Sequence, residues 1–217
     1  MIVDKNNFSI EVFHNSNLIT LDTKHGGPKR WHHLSESLNK ISVDGNMLEF
    51  GVFSGKTINI ISSHFPNNTI HGFDSFEGLP EDWFMKEKEK KKGNAKRHKG
   101  YFAVDNLPTV NDNVTLWKGW FNDTIPEYLK TFSSQISFLH IDCDLYSSTK
   151  TIFEILNEKI VSGTIIVFDE FYPWGNGSYD LWYEHEYKAL QEWVEQYNRS
   201  FKVLCRNDFQ QCTIQIV

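Results

Sequence analysis

Between Met47 and Ile61 an apolar, strand-like segment, Met47-Leu48-Glu49-Phe50, breaks at Gly51 and Gly55 into a helix-like stretch. Two glycines at such a turn bring backbone close to a ligand with no Cβ in the way, and the N–H groups of the new helix then point at it. The spacing removes the two commonest phosphate cradles. A dinucleotide fingerprint needs three glycines as G-x-G-x-x-G, and a P-loop ending in Gly55-Lys56-Thr57 needs a first glycine where Phe50 stands. What remains is a cradle that need not hold a polyphosphate.

The same alternation of strand and helix recurs down the chain. Thr69 to Phe76 is a short strand carrying Asp74, and Val114 to Trp117 is another, followed by a helix to about Phe132. Ile136 to Asp144 ends in two acids and leads into a helix from Thr149 to Leu156; Gly163 to Glu170 repeats the pattern. Short apolar runs alternating with helices indicate a parallel sheet covered on both faces. Phe201 to Arg206 and Gln211 to Val217 read as a closing hairpin that adds an antiparallel last strand, after an amphipathic helix from Tyr183 to Tyr197. Ahead of the cradle, Trp31, Leu34, Leu38 and Ile41 fall at helical spacing behind Pro28. Asp123 or Thr124 is expected to cap the helix that runs to about Phe132, with Pro126 in its first turn.

At 217 residues the chain is expected to form one domain, with 1–44 as an N-terminal helical cap and 84–108 as a lysine-rich insertion or lid. A net charge of -6 argues against a dedicated nucleic-acid binder. Cys143, Cys205 and Cys212 are too few and too irregular for a disulfide framework or a zinc site, so buried free thiols are expected. With no secretory h-region at Asp4 and Lys5 and no apolar run of membrane-spanning length, the expectation is a cytoplasmic protein without a membrane partner. His25, His32 and His33 lack ligand spacing to a cysteine or carboxylate and read as surface residues.

Ligands of an open parallel sheet gather at the carboxyl ends of its strands. Here those ends carry Glu49, Asp74, Asp142, Asp144, Asp169 and Glu170. Asp74 lies about 20 residues beyond the glycine turn, where a βαβ unit places a carboxylate to accept hydrogen bonds from ribose hydroxyls. The other acids repel one another unless a cation joins them, and an oxygen-only set favours Mg2+, with Mn2+ or Ca2+ as alternatives. Asp142 with Asp169 and Glu170 are the natural ligands. From Lys86 to Lys99 the chain is basic, and two readings compete: a solvated insertion, or a lid over an anionic acceptor.

These stretches together resemble the macrocin O-methyltransferase family of class I S-adenosylmethionine-dependent enzymes. The motifs are Leu48-Glu49-Phe50-Gly51-Val52 with Gly55, then Gly72-Phe73-Asp74-Ser75-Phe76-Glu77-Gly78-Leu79-Pro80, then Lys118-Gly119-Trp120-Phe121 with Asp123-Thr124-Ile125-Pro126. His140-Ile141-Asp142-Cys143-Asp144-Leu145-Tyr146 and Asp169-Glu170 complete them in order. The resemblance implies a Rossmann-like α/β fold with a mostly parallel seven-stranded sheet and an antiparallel C-terminal strand. It also implies S-adenosyl-L-methionine in the cradle and Mg2+ holding hydroxyls of a sugar-like acceptor; the lid reading of the basic run adds that this sugar or glycan is nucleotide-linked or phosphorylated. Glu49, Gly51 and Gly55, with Ser54 beside them, would line the methionine part, Asp74 and Ser75 the ribose, and Gly119 and Trp120 the adenine side. Asp142, Asp169 and Glu170 would bind metal, Glu170 standing where the family usually has Asp.

An acceptor oxygen would then displace the sulfonium methyl in line, with Asp142 as base and His140 second, unless His140 is simply a hydrogen-bonded buried histidine. Tyr172, Trp174 and Trp182 are candidates to stack on a sugar ring, and His185 with Glu186 opens the late helix toward the acceptor. Two rivals stand beside this reading. One is a non-catalytic module that holds a cation and a ligand. The other is a nicotinamide-dependent reductase using Tyr146 and Lys150, disfavoured because Tyr146 is expected at a strand exit and the three-glycine fingerprint is missing. Whether the chain acts alone or as a homo-oligomer is not written in any motif.

Overall fold

In the computed structural model, which describes residues 1–19, 29–173 and 179–217, the chain forms seven strands. They are β1 (Asn46–Phe50), β2 (Ile70–Asp74), β3 (Val114–Lys118), β4 (Ile136–Ile141), β5 (Ile160–Phe168), β6 (Phe201–Arg206) and β7 (Cys212–Ile216). Hydrogen bonding orders them β3-β2-β1-β4-β5-β7-β6. The first five pair in parallel, and β7 inserts antiparallel between β5 and β6. The mostly parallel α/β sheet with an antiparallel end is the architecture that the alternation implies. Every residue of β4 is buried, as expected for a central strand covered on both faces.

Seven helices surround the sheet among the described residues: α1 (Ile10–His14), α2 (Lys29–Leu38), α3 (Lys56–His64), α4 (Glu87–Lys92), α5 (Phe121–Thr131), α6 (Tyr146–Leu156) and α7 (Glu186–Gln196). Successive strand residues point to opposite faces, so neighbours in sequence feed different cores. Leu139 and Phe168 pack on one face with Phe153 and Trp193. Phe138 and Val167 pack on the other with Leu34, Leu38, Ile58 and Ile61. From β1 the chain steps outward to β2 and β3, then returns to β4 on the opposite side of β1. The crevice this reversal opens at the carboxyl ends of β1 and β4 is where the site forms.

Several local expectations need correction. Helix α5 begins at Phe121, directly after Gly119, with Trp120 at its cap and no side-chain cap bond. Pro126 therefore sits inside the helix, where it removes one ladder hydrogen bond. Helix α6 begins at Tyr146, not Thr149, because no capping side chain marks its start. Within the first 19 residues a five-residue helix, α1, buries Phe13 against Phe171 and Phe201. Val3 bridges Phe201 and Leu18 bridges Arg206, so this segment runs beside the exposed edge of β6. His33 is buried, with Nε2 2.8 Å from Thr213 Oγ1, and is no surface residue. His25 and Pro28 lie outside the described residues.

All three cysteines are buried and free. No helix among the described residues is long and apolar enough to cross a membrane. The basic run folds into α4, anchored by buried Glu89, whose carboxylate accepts the Met85 amide at 3.3 Å. Lys90 pairs with Glu184, while Lys91 and Lys92 stand exposed.

His71 on β2 carries a stability consequence. Buried among Trp117, Tyr128 and Phe132, its Nδ1 accepts the Trp117 indole N–H at 3.3 Å. Burial pulls its pKa from 6.5 down to about 4. The unfolded chain binds this proton more readily, so the contribution is whole above pH 6.5 and is lost as pH falls toward 4. Urea unfolding followed across that window should show a slope shallower by about one proton in His71→Phe than in the wild-type chain. Equal slopes would mean that His71 is already charged in the folded protein.

Candidate active site

The site begins with a backbone contact. Gly51 leaves β1 at φ +96° and donates its N–H to the Phe73 carbonyl at 3.0 Å, while Asp142 at the end of β4 donates to the Phe50 carbonyl at 2.9 Å. A Cβ at Gly51 would stand 1.8 Å from the Asp142 carbonyl oxygen. The glycine is therefore needed by the neighbouring strand end as much as by any ligand. Gly55, at φ +77°, then starts α3.

Asp74 closes the turn from the side. Its Oδ2 accepts the amides of Val52 and Phe53 at 2.9 and 2.8 Å, and its Oδ1 accepts that of Phe76 at 2.7 Å. Gly119, at φ +144°, donates to the Asp74 carbonyl at 2.9 Å and brings Trp120 to the same rim. The result is a cavity of about 610 Å³ whose wall includes Gly51, Ser54, Asp74, Ser75 and Trp120. Asp142, Asp144 and Glu170 line it too. Such a volume suits a small-molecule site. Gly55 and Gly119 shape this wall without lining it.

Glu49 lies behind the cavity rather than on it. It is fully buried, with Thr57 Oγ1 donating to Oε1 at 3.1 Å and His140 Nδ1 2.9 Å from Oε2. His140 is also fully buried, and its Nε2 stands 3.8 Å from Asp169 Oδ1. Burial pulls the imidazole down, but the carboxylates of Asp169 and Glu49 outweigh it and hold its pKa at about 10. His140 thus lies between two acids that favour its charged form, and it does not line the cavity.

Around it the carboxyls crowd. Ligand atoms of His140, Asp142 and Asp169 lie within 4.8 Å of one another. The carboxyl of Glu170 is not in that group, although it faces the cavity. Burial first, and the charge of Asp169 next, push the pKa of both Asp142 and Glu170 well above the usual carboxylate range. Buried Glu186 is pushed up likewise, by burial and then by Asp144. Glu170 Oε2 and Glu186 Oε1 have no hydrogen-bond partner among the described residues. Asp144 sits in this knot at φ +63°, a backbone conformation that few side chains adopt.

Other residues named from the sequence go elsewhere. Tyr172 packs edge-on against Trp182 and His14, and Trp182 packs on the core; neither lines the cavity. His185 stacks on Tyr179, with Nε2 3.2 Å from the Phe84 carbonyl oxygen. It too is away from the wall, because its ring is needed to join two segments. Trp174 lies outside the described residues. Tyr146 and Lys150 share helix α6 after all, with Lys150 Nζ donating to the Tyr146 hydroxyl at 2.9 Å. Both are engaged by Glu192 on the far side of that helix and do not line the cavity.

Residues without a sequence signal complete the site. Gln211, in the turn before β7, donates its side-chain amide to Asp169 Oδ1, and Gln210 lines the cavity. Only the hairpin return of β7 beside β5 brings them there. Leu79, Trp83, Met85 and Arg97 form a further wall, built by the segment between β2 and β3.

The sequence model of the macrocin-O-methyltransferase (TylF) family matches residues 23–195. The chain belongs to that family. A curated relative from Streptomyces olivaceus, 8-demethyl-8-(2,3-dimethoxy-alpha-L-rhamnosyl)-tetracenomycin-C 4'-O-methyltransferase, is 26% identical over 167 residues. That match takes in 67% of this chain and 61% of the relative, so the chain spans about three fifths of the relative's length. The calicheamicin methyltransferase CalS11 superposes with a TM-score of 0.67 at 19% identity, over 95% of this chain and 89% of that one. The O-methyltransferase NovP gives 0.62 at 21% identity, over 87% and 80%. These likenesses show the class I methyltransferase fold.

The contact between Gly51 and Asp142 is testable by itself. Gly51→Ala should cost about 2–3 kcal/mol through backbone strain and displacement of the β4 end. In a chain of this size that lowers Tm by roughly 4–12 °C. A change within experimental error in a thermal melt would show that the two strand ends separate freely.

Proposed function

We propose that the protein is an S-adenosylmethionine-dependent O-methyltransferase that uses Mg2+ and acts on a hydroxyl of a sugar or glycan-like small molecule. One observation carries the reading: the glycine turn with Asp74, and the carboxyls of Asp142 and Glu170, open onto the same cavity. Family membership supports the reaction class. The name of the Streptomyces olivaceus relative, which places its methyl group on a rhamnosyl unit, supports a sugar as acceptor.

The residues present fit both absent groups. A carboxylate offers about four acceptor positions, and three backbone amides already fix that of Asp74 in place, which leaves capacity for one ribose hydroxyl. Gly51, Ser54 and Gly55 would border the methionine part, with Ser75, Gly119 and Trp120 around the nucleoside. Glu49 acts one layer back, through Thr57 and His140. For the cation, unpartnered oxygens on Glu170 and Glu186 beside mutually repelling acids are what a hard divalent ion relieves. Asp142 and Asp169, whose carboxyl oxygens lie within 4.8 Å of each other, would hold it; Glu170 faces the cavity outside that group, and would reach the ion only by a change of side-chain rotamer.

When bound, S-adenosylmethionine supplies a sulfonium methyl and Mg2+ supplies positive charge that acidifies an acceptor hydroxyl. The remaining work falls to this chain's side chains. The cavity wall excludes water and orients the hydroxyl toward the donor end. Asp142, which lines the cavity, accepts the hydroxyl proton on its carboxylate. His140 is not placed as the base, because it faces Glu49 and Asp169 and does not line the cavity.

Labelled methyl donor incubated with a panel of glycosides and sugar nucleotides should yield a methyl ether and S-adenosylhomocysteine. Asp142→Asn should lower kcat by about 10²-fold or more while S-adenosylhomocysteine binds within about twofold of the wild-type affinity. Chelation with EDTA should abolish turnover, and added Mg2+ should restore it. A protein that binds the donor without ever releasing S-adenosylhomocysteine would be a binding module instead.

A further inference from the structure

Of the cations in the basic run, Arg97 is the one that lines the cavity. Lys90 is committed to Glu184, its Nζ lying 2.7 and 2.5 Å from the two carboxylate oxygens. Arg97 has a different environment. Its guanidinium carbon lies 4.8 Å over the Trp83 ring, and Nη1 donates to the Met85 thioether. Nε is buried with no hydrogen-bond partner, and no carboxylate pairs with Arg97 among the described residues. Glu81 accepts the Ser147 hydroxyl at 2.6 Å, and Asp82 accepts the Lys99 amide at 2.7 Å.

A guanidinium carries five N–H donors in a rigid fork that matches phosphoryl and carboxylate oxygens. Here an aromatic face and a thioether, both poor acceptors, hold that fork at the cavity without satisfying it. Trp83 is itself 2% exposed, so the stack fixes the position of Arg97. Through the Glu81–Ser147 bond this wall is tied to the start of α6, just past the acid cluster. The cavity is therefore bipolar, with Asp142, Asp144 and Glu170 toward the sheet and Arg97 on the wall from Leu79 to Arg97. Its other cation, Lys56, stands 5.9 Å over the Trp31 ring at the start of α3, on the donor side.

We propose that Arg97 binds a phosphoryl group attached to the acceptor, so that the substrate is a phosphorylated sugar, as a sugar phosphate or a nucleoside diphosphate sugar. A neutral glycoside would offer the guanidinium no oxyanion. A phosphosugar places its oxyanion on Arg97 and its hydroxyls toward the acids. This rests on the proposed sugar methylation, and it names the acceptor's charged end.

Calorimetry separates the two claims, since S-adenosylhomocysteine affinity reports the donor site alone. With the donor site filled by that ligand, inorganic pyrophosphate, glucose 1-phosphate and uridine diphosphate are titrated into wild-type, Arg97→Gln and Arg97→Lys proteins. The expected result is phosphoryl binding by the wild type and a Kd at least ~10-fold higher in Arg97→Gln. Arg97→Lys should recover part of the loss as a point charge, and S-adenosylhomocysteine binding should be unchanged in all three. Much tighter uridine diphosphate than pyrophosphate would place the phosphoryl group in a nucleotide; comparable values would place it on a sugar phosphate. Absence of phosphoryl binding in the wild type, or equal affinity in Arg97→Gln, overturns the assignment even where the donor binds normally.

Discussion

Like charges gathered in a place that water barely reaches are the constraint on which this structure turns. Glu49, Asp142, Asp144, Asp169, Glu170 and Glu186 all approach the carboxyl ends of β1, β4 and β5, and four of them are under one tenth exposed. Repulsion at low dielectric would scatter such a set unless protons, a buried cation or a bound ion offset it. His140 supplies one positive charge, Gln211 and Thr57 supply donors, and two oxygens remain without partners. The left-handed backbone of Asp144 and the tight passage at Gly51 are concentrated at the same point. Strain and unsatisfied polarity collected at one rim mark the place where stability was given up for a task.

Much of the fold was readable because two periodicities and a handful of glycines specify it. Short apolar runs named the parallel strands, and the acids at their ends named the rim. The glycine-turn half of the cavity follows almost directly, since Gly51, Asp74 and Trp120 each sit where a strand stops. What stayed hidden depends on contacts between distant segments. Gln210 and Gln211 are an ordinary turn in sequence, and they matter only because β7 returns beside β5. Glu49 looked like a ligand because it precedes the glycines, yet the pleat turns its side chain beneath the turn toward His140. Aromatic side chains misled for a related reason: Tyr172, Trp182 and His185 bring ring surface that either a core or a sugar would accept, and only packing decides.

The two sides of the cavity are built on different principles. On the side of the glycine turn, backbone does the positioning: amides of Val52 and Phe53 clamp Asp74, and strand ends hold one another at hydrogen-bond distance. The opposite wall is an excursion between β2 and β3 that reaches back to the segment before α7. Trp83 packs against Tyr179, the Leu181 amide donates to the Met85 carbonyl at 3.2 Å, and the Tyr183 hydroxyl donates to Glu87 at 3.1 Å. The basic stretch is thus neither a free loop nor a patch of charge. Its lysines from Lys88 onward face outward while the guanidinium of Arg97 faces the cavity beside Trp83.

That division has an evolutionary edge. A side chain cannot be added at Gly51 without pushing on the strand that carries Asp142, so the glycine turn and the acid rim are locked to each other and drift together or not at all. Among the described residues the excursion carrying Trp83 and Arg97 shares no strand pairing with the sheet, and its residues are replaceable without moving the strand ends. The shape of the cavity is therefore most easily changed by rewriting this one stretch of roof, leaving the rim underneath as it is.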